Sequence, residues 1–127
     1  MLKLTLGVAV GSAIGGVLRV WLTHWAARTL PHHLPLGTIL VNAAGSFAIG
    51  YVAAVATMRP PAFGGPMGHQ VLMAGVLGGF TTFSAFSLQT LLLAQEGRWG
   101  LAVVNVAASV TLCLVAVAGG WAFGKSM

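Results

Sequence analysis

Uncharged hydrogen-bonding side chains recur at intervals of four residues in two separate apolar stretches of the sequence. The two sets are Thr38, Asn42 and Ser46, and Asn105, Ser109 and Cys113. Residues spaced by four lie on one face of a helix, so each set predicts a polar stripe. A carboxamide or hydroxyl in apolar surroundings needs hydrogen-bond partners or water. The stripes therefore predict either the lining of a polar track or hydrogen bonds between helices.

Aromatic rings and hydroxyls are interleaved in a further stretch. Phe80, Phe83 and Phe86 recur at every third position, and Ser84 and Ser87 lie next to the last two rings. The edge of a phenyl ring is the positive part of its quadrupole, so ring edges can contact a small anion without a full charge. Packing of the rings on one helix face is the alternative interpretation.

Charged side chains are scarce, which limits the classes of protein that fit. The chain has six Lys and Arg and one acidic residue among 127, and 57% of its residues are hydrophobic. Soluble domains carry about a quarter charged residues, so a soluble globule is excluded. The basic residues are scattered singly, which disfavours a nucleic-acid surface. The single cysteine allows no intramolecular disulfide.

The charged residues divide the chain into four apolar stretches, each close to the roughly 20 residues that cross a bilayer as a helix. They are residues 4–25, 36–58, 70–94 and 99–123, and the proline-rich segment 59–66 is predicted to exclude helix. A cleaved signal peptide is disfavoured for the first stretch, because Arg19 and bulky residues follow where small residues are needed. We therefore predict an all-α membrane protein, with one four-span domain over residues 1–127.

The third predicted span contains a glycine pair, Gly78 and Gly79, followed by the threonine pair Thr81 and Thr82. Each helical glycine costs about 1 kcal/mol relative to alanine, so the pair predicts a break in the helix, with a bent but continuous helix as the alternative. A broken helix inside a bilayer needs protein or a water-filled cavity around its freed backbone. Its carbonyls can then hold a cation, and its N–H groups can face an anion.

Glycines in the first span are spaced for close helix packing. Gly7, Gly11 and Gly15 fall at every fourth position, and Ser46 with Gly50 repeats the spacing in the second span. Small residues on one face let another helix backbone approach. We therefore interpret these residues as packing positions in a helical bundle.

The basic residues give the chain almost no preferred orientation in a membrane. One side of the four-span topology holds three of them, and the other side holds two, or three if Arg19 extends there. These are Lys3, Arg59 and Lys125 against Arg28, Arg98 and Arg19. Because the Lys and Arg asymmetry of short loops sets orientation, either other factors fix the topology or the chain inserts both ways and pairs as an antiparallel dimer.

Three segments resemble the Fluc/CrcB fluoride channels of prokaryotes. They are GGFTTFSAFS at residues 78–87, GTILVN at residues 37–42 and GSAIGGVLR at residues 11–19, and the likeness extends over all four spans. The resemblance implies an antiparallel, dual-topology homodimer in the prokaryotic inner membrane with two pores. It also implies passive export of toxic fluoride rather than an enzymatic activity. A structural sodium ion at the dimer interface, where the third span breaks, is the cofactor it implies.

The same resemblance assigns roles to individual residues. Phe83 and Phe86 match the two phenylalanines whose ring edges line the pores, and Asn42 matches the pore asparagine. Ser109 matches a hydroxyl of the polar track on the fourth span, flanked by Asn105 and Cys113. The fluoride pore residues implied are therefore Asn42, Phe83, Phe86, Asn105, Ser109 and Cys113.

The resemblance further implies that the backbone carbonyls of Gly78 and Thr81 bind the sodium ion. Arg19 matches a basic residue of the vestibule, where it would attract anions; extension to lipid headgroups is the alternative. Three residues depart from the family pattern: Ala85 stands where members usually have Thr between the two phenylalanines, Gln89 where several have Glu, and Cys113 where a Thr would extend the track. A thiol is a weaker donor than a hydroxyl, so Cys113 weakens that end of the track.

Two other classes of membrane protein compete with a channel. A small proton-coupled antiporter of cations needs a titratable carboxylate inside the membrane, and the only acid, Glu96, is predicted in a turn beside Arg98. A non-conducting scaffold subunit would leave the polar stripes and the broken helix without a role. The four histidines show no metal-ligand spacing to a cysteine or an acid.

Overall fold

The computed structural model describes residues 1–127 and contains helices but no β-strand. In chain order the elements are α1 (Leu2–Thr29), α2 (Leu36–Met58), a 3₁₀ turn (Ala62–Gly64), α3 (Gly65–Gln70), a π-helix (Val71–Leu77), α4 (Gly78–Phe80), α5 (Phe83–Gln95) and α6 (Trp99–Ser126). The segment Ala62–Gln95, together with α1, α2 and α6, makes four helical segments long and apolar enough to cross a membrane. The prediction of an all-α protein with four spans is confirmed at this level.

The third helical segment starts earlier than the sequence predicts. Helix α3 begins at Gly65 and has Pro66 in its first turn, so the prediction that the whole of 59–66 excludes helix is wrong at its end. The first N–H groups of a helix have no partner within it, and proline removes only such a group there. The second span has the predicted bounds, residues 36–58.

Glycines bring α1 against the third segment. A Cβ placed on Gly15 would collide with the backbone of Val76 and Phe80, and one on Gly11 would crowd Val76 and Gly75. The predicted packing role of the glycine stripe is confirmed, because only glycine permits this backbone approach.

Helices α2 and α6 pack together in the same way. A Cβ on Gly50 would collide with the Val117 carbonyl, and one on Gly120 would collide with the Phe47 carbonyl. Only 20 of the 127 residues are buried in the single chain, and many large apolar side chains are exposed, as expected of a protein whose solvent is a bilayer.

Downstream of Gly65, the third segment leaves helical geometry at Thr81 and Thr82. Thr81 has φ −79° and ψ 157°, Thr82 has φ −150° and ψ 110°, and α5 starts at the next residue. The glycine pair predicts the interruption too early, because Gly78 and Gly79 both lie within α4. Gly79 serves packing instead, since a Cβ there would collide with Ser12.

Candidate functional site

The side chain of Asn42 pairs with the backbone of Thr82 across the helix interruption. Asn42 Nδ2 donates to the Thr82 carbonyl at 2.9 Å, and the Thr82 N–H donates to Asn42 Oδ1 at 2.7 Å. A backbone group freed from a helix in apolar surroundings needs such a partner. The Asn42 side chain from α2 therefore replaces the hydrogen bonds that an unbroken helix would supply at this residue.

Thr82 also starts α5. Its Oγ1 accepts a hydrogen bond from the Ala85 N–H at 3.2 Å, which is an N-cap interaction, and lies 3.3 Å from Ser84 Oγ. The 13-residue helix α5 thus has its N-terminus at the interruption. A helix N-terminus carries a partial positive charge that favours an anion nearby.

Arg19 reaches the interruption from α1. Its Nη1 donates to the Thr81 carbonyl at 3.3 Å, and the side chain is partly buried. On the other side of Thr81, its Oγ1 and N–H both bond to the Leu77 carbonyl, at 2.9 Å and 3.0 Å. Arg19 therefore places a fixed positive charge beside the break, and this contact differs from an extension to headgroups.

A cavity of about 360 Å³ lies beside the interruption. Its walls come from α2, the π-helix, α4, the break at Thr81 and Thr82, α5 and α6. The residues predicted from the sequence that line it are Asn42, Gly78, Thr81, Phe83, Phe86, Ser109 and Cys113, together with Ser46 of the first polar stripe. Hydroxyl, amide and thiol groups from α2, α6 and the two threonines of the break therefore meet at one apolar cavity.

The two phenylalanines of the cavity differ in exposure. Phe86 is buried, with 9% of its surface exposed, whereas Phe83 is 77% exposed in the single chain. Their ring centroids lie 5.3 Å apart with the planes inclined by 54°, so the rings are tilted rather than stacked. A tilted pair presents ring edges as well as faces to its surroundings.

Asn105 is separated from the other predicted pore residues. It is fully buried outside the cavity lining, and its Nδ2 donates to Thr90 Oγ1 at 2.9 Å. Thr90 in turn donates to the Phe86 carbonyl at 2.8 Å, and Asn105 Oδ1 has no partner. In the single chain Asn105 thus ties α6 to α5, and its place along a fluoride path stays a prediction.

Thr38 and Gln89 line a different, smaller cavity. It has a volume of about 210 Å³ and is formed near the first loop by α1, α2 and α5. Thr38 is one turn before Asn42 on α2, so α2 contributes to both cavities. The buried Gln89 Oε1 has no hydrogen-bond partner within the chain.

Sequence reasoning missed the roles of Thr82 and Thr90. A threonine directly before an apolar run is a known N-cap signal and could have identified Thr82. The spacing of four between Phe86 and Thr90 could have indicated a hydroxyl bonded to the preceding turn, but nothing in the sequence indicates Asn105 as its partner.

The carbonyls of the break are suitable ligands for the implied sodium ion. The Thr82 N–H donates to Asn42 and the Thr81 N–H donates to the Leu77 carbonyl, so neither N–H is hydrogen-bonded to the Gly78 carbonyl. Gly78 is exposed, and an added Cβ would meet only the Met73 carbonyl, at 3.6 Å. Carbonyl oxygens bind hard cations, so Gly78 fits this role. The Thr81 carbonyl fits through its second lone pair, because Arg19 uses the first.

Comparison with known proteins gives a consistent set of relatives. The fluoride-specific ion channel FluC of Paramagnetospirillum magneticum is 49% identical over 110 residues, which are 87% of this chain and 86% of the relative. Proteins with the same name from Opitutus terrae and Rhodospirillum rubrum are 47% and 45% identical, over 91% and 87% of this chain and 88% and 85% of the relatives. Residues 6–121 match the family described as CrcB-like protein, Camphor Resistance (CrcB). This match includes most of each of the four helical segments, and the chain therefore belongs to the CrcB family.

Proposed function

We propose that the protein is a fluoride channel through which fluoride leaves the cytoplasm passively. Its relatives are named fluoride-specific ion channels, so a channel and not an enzyme is the activity to expect. The observation that carries the proposal to this chain is the cavity at the helix break, where Asn42, Ser109 and the two phenylalanines Phe83 and Phe86 meet.

The cavity has the chemistry that a small, strongly hydrated anion needs. Fluoride gives up its water only where hydrogen-bond donors replace it, and conduction needs weak, repeated sites rather than one deep well. Asn42, Ser109 and the ring edges of Phe83 and Phe86 are uncharged, so they attract the anion without holding it. The N-terminus of α5 adds a partial positive charge. Arg19 adds a full positive charge at the Thr81 carbonyl, next to the capping residue Thr82.

The driving force follows from the acid–base chemistry of fluoride. Hydrogen fluoride crosses lipid as a neutral molecule in an acid environment and dissociates in the less acidic cytoplasm. The trapped anion then leaves through the channel, and an inside-negative potential adds about 2.3 kcal/mol per 100 mV to its driving force.

An antiparallel homodimer in the inner membrane, with two pores, is the assembly we propose. The near-equal division of basic residues supports insertion in both orientations. Phe83 lines the cavity yet is 77% exposed, so one chain leaves that wall of the cavity incomplete. A second copy would cover it, and would place the helix break near the middle of the bilayer.

A structural sodium ion at the dimer interface is the cofactor we propose. It would be held by the carbonyls of Gly78 and Thr81 and would offset the freed backbone carbonyls. Arg19 and Asn42 fix the backbone that carries these carbonyls, through their bonds to Thr81 and Thr82.

The antiporter alternative lacks its essential group. Glu96, the only acid, lies in the exposed turn between α5 and α6, where Arg98 Nη1 is 3.5 Å from its Oε2. No carboxylate therefore lies within a helical segment that could span the membrane.

Fluoride efflux from liposomes tests the proposal. Purified protein is reconstituted with fluoride inside, valinomycin and a potassium gradient provide the counter-current, and an electrode records fluoride release. We expect rapid release of fluoride and none of chloride in a parallel chloride assay. Phe83→Ile should abolish release while the dimer persists in size-exclusion chromatography. A wild-type protein that releases no fluoride would overturn the proposal, and a conducting Phe83→Ile variant would remove Phe83 from the path.

A further inference from the structure

Asn42 has a second consequence for the break, beyond lining the cavity. In an unbroken α-helix the N–H of each residue bonds to the carbonyl four residues earlier, so the Thr82 N–H would close the carbonyl of Gly78. Asn42 Oδ1 takes that N–H at 2.7 Å instead. The bond therefore determines which carbonyl stays open as well as where the helix ends.

The Gly78 carbonyl has no other candidate donor among the residues of the break. The N–H of Thr81 and its hydroxyl both bond to the Leu77 carbonyl. Gly78 itself is exposed and keeps helical angles, φ −65° and ψ −36°. An exposed carbonyl without a donor in a membrane-spanning segment requires a polar partner, because hydrocarbon offers none.

Arg19 does not supply that partner, because it is already engaged one turn later. Its Nη1 lies 3.3 Å from the Thr81 carbonyl, and its position beside the break makes Thr81 the less open of the two carbonyls toward another cation. The two side chains therefore act on different oxygens: Arg19 uses one lone pair of the Thr81 carbonyl, and Asn42 leaves the Gly78 carbonyl without a donor.

We propose that Asn42 is the positioning residue of the cation site at this break, because its carboxamide diverts the Thr82 N–H and leaves the Gly78 carbonyl free to bind sodium. The inference rests on the proposed structural sodium ion. Asn42 does not touch the ion; it acts through the backbone of Thr82. Removal of its acceptor lets the Thr82 N–H return to Gly78, which closes the ligand and extends the helix.

The test measures sodium-dependent thermal stability of the purified dimer, with N-methylglucamine replacing sodium at constant ionic strength. The wild type should gain stability as sodium rises. In Asn42→Leu, which has a similar size but no acceptor, we expect half of that gain to require about 10- to 100-fold more sodium, the usual cost of losing a residue that orients a metal ligand.

Two further variants separate positioning from packing. Asn42→Asp keeps an oxygen that accepts from the Thr82 N–H but loses the Nδ2 donor to the Thr82 carbonyl, so its sodium response should lie nearer to that of the wild type than the response of Asn42→Leu does. Ser46→Ala changes the same cavity one turn further along α2, and Ser46 makes no hydrogen bond with the break, so this variant should also respond as the wild type does. Equal responses of Asn42→Leu and Asn42→Asp would overturn the inference.

A measurement on the wild type covers the case in which Asn42→Leu does not fold. Glycine labelled with 13C at the carbonyl and 15N at the amide gives an NMR signal for each carbonyl that is bonded to the nitrogen of a following glycine. The sequence has four such pairs, Gly78–Gly79 and three others. We expect the Gly78 carbonyl signal to shift between sodium and N-methylglucamine. A signal that does not move while sodium stabilises the dimer would overturn the inference but leave the sodium proposal intact. If sodium stabilises nothing, both fail, whereas the fluoride channel proposal is judged separately by efflux.

Discussion

The carboxamide of Asn42 has one more N–H than its contacts with Thr82 use. Its Oδ1 and one Nδ2–H are paired with the Thr82 backbone, and an amide nitrogen carries two donors. The remaining N–H belongs to a side chain that lines the cavity and cannot rotate without breaking two hydrogen bonds. A donor held in a fixed direction needs no reorganisation when an anion arrives, which is how preorganised polar groups stabilise charge. One residue can thus hold the break open and offer a donor to fluoride.

Cys113 allows a direct test of whether the cavity belongs to the fluoride path. It is the only cysteine, it is half-buried and it lines the cavity on α6. We expect methyl methanethiosulfonate, which is small and neutral, to reduce fluoride efflux severalfold by adding a methylthio group to this side chain. Efflux measured before and after the reagent gives the result.

Cys113→Ser is the matched control for this reagent. Serine is nearly isosteric and donates a stronger hydrogen bond, so the variant should conduct at least as well as the wild type and ignore the reagent. Unchanged efflux from a wild-type protein whose thiol is shown by mass spectrometry to be modified would place Cys113 outside the path.

At the scale of elements, the glycine contacts of α1 determine how closely the third segment packs. Gly15 and Gly16 are neighbours with opposite surroundings: a Cβ on Gly15 would collide with the Val76 and Phe80 backbone, and one on Gly16 would meet nothing within 4 Å. We expect Gly15→Ala to destabilise the protein by about 1–3 kcal/mol, the usual cost of overpacking. Gly16→Ala should be neutral or up to about 1 kcal/mol stabilising, because alanine is the better helix former. Thermal unfolding in detergent measures both, and similar midpoints for the two variants would contradict the close packing of α1 against the third segment.

Thr82 makes the corresponding prediction for the start of α5. Its hydroxyl caps the helix through the Ala85 N–H, so Thr82→Ala should cost about 1 kcal/mol of stability, and Thr82→Ser should retain most of it. Comparison of the two variants by thermal unfolding isolates the contribution of the capping hydroxyl, because both variants lack the Thr methyl group. If serine and alanine destabilise equally, the hydroxyl contributes nothing at this position.

How much of these elements could be predicted from the sequence depends on whether the cause was local. Residues 36–58 could be delimited correctly, because proline and arginine flank an uninterrupted apolar run. The break could be anticipated but not placed, since glycine propensity favours Gly78 whereas the pairing of Thr82 with Asn42 puts it at residues 81–82. That pairing joins residues 40 positions apart. The hydrogen bond from Asn105 to Thr90 could not be predicted either, because the spacing of a stripe shows which residues share a helix face but not which helix packs against that face.

At the scale of the whole molecule, the division of basic residues between the two sides of the membrane can be changed by mutation. Arg19 bonds to the break, so it is withdrawn from the loops, and the loop and terminal residues that remain divide three to two: Lys3, Arg59 and Lys125 against Arg28 and Arg98. A difference of one basic residue sets only a weak orientation preference. An antiparallel dimer needs both orientations in the same membrane, so any change that orients all copies one way should remove the partner each copy requires.

Added terminal charge should therefore abolish function without touching the pore. Two lysines appended after Met127, on the side that already holds three basic residues, should orient nearly all copies with that side in the cytoplasm. We expect a C-terminal reporter to change from both membrane faces to one, and fluoride efflux from cells to fall to the level of cells without the protein.

A variant with Ala27→Lys and Thr29→Arg at the first loop, which orients oppositely, should be equally inactive alone. Coexpression of the two should restore efflux, because each then supplies the orientation the other lacks. Two appended glutamates are the matched control and should change neither measurement, since acidic residues contribute little to orientation. Full efflux from the lysine-tagged chain alone, with its reporter on a single face, would mean that parallel copies conduct and would refute the antiparallel assembly.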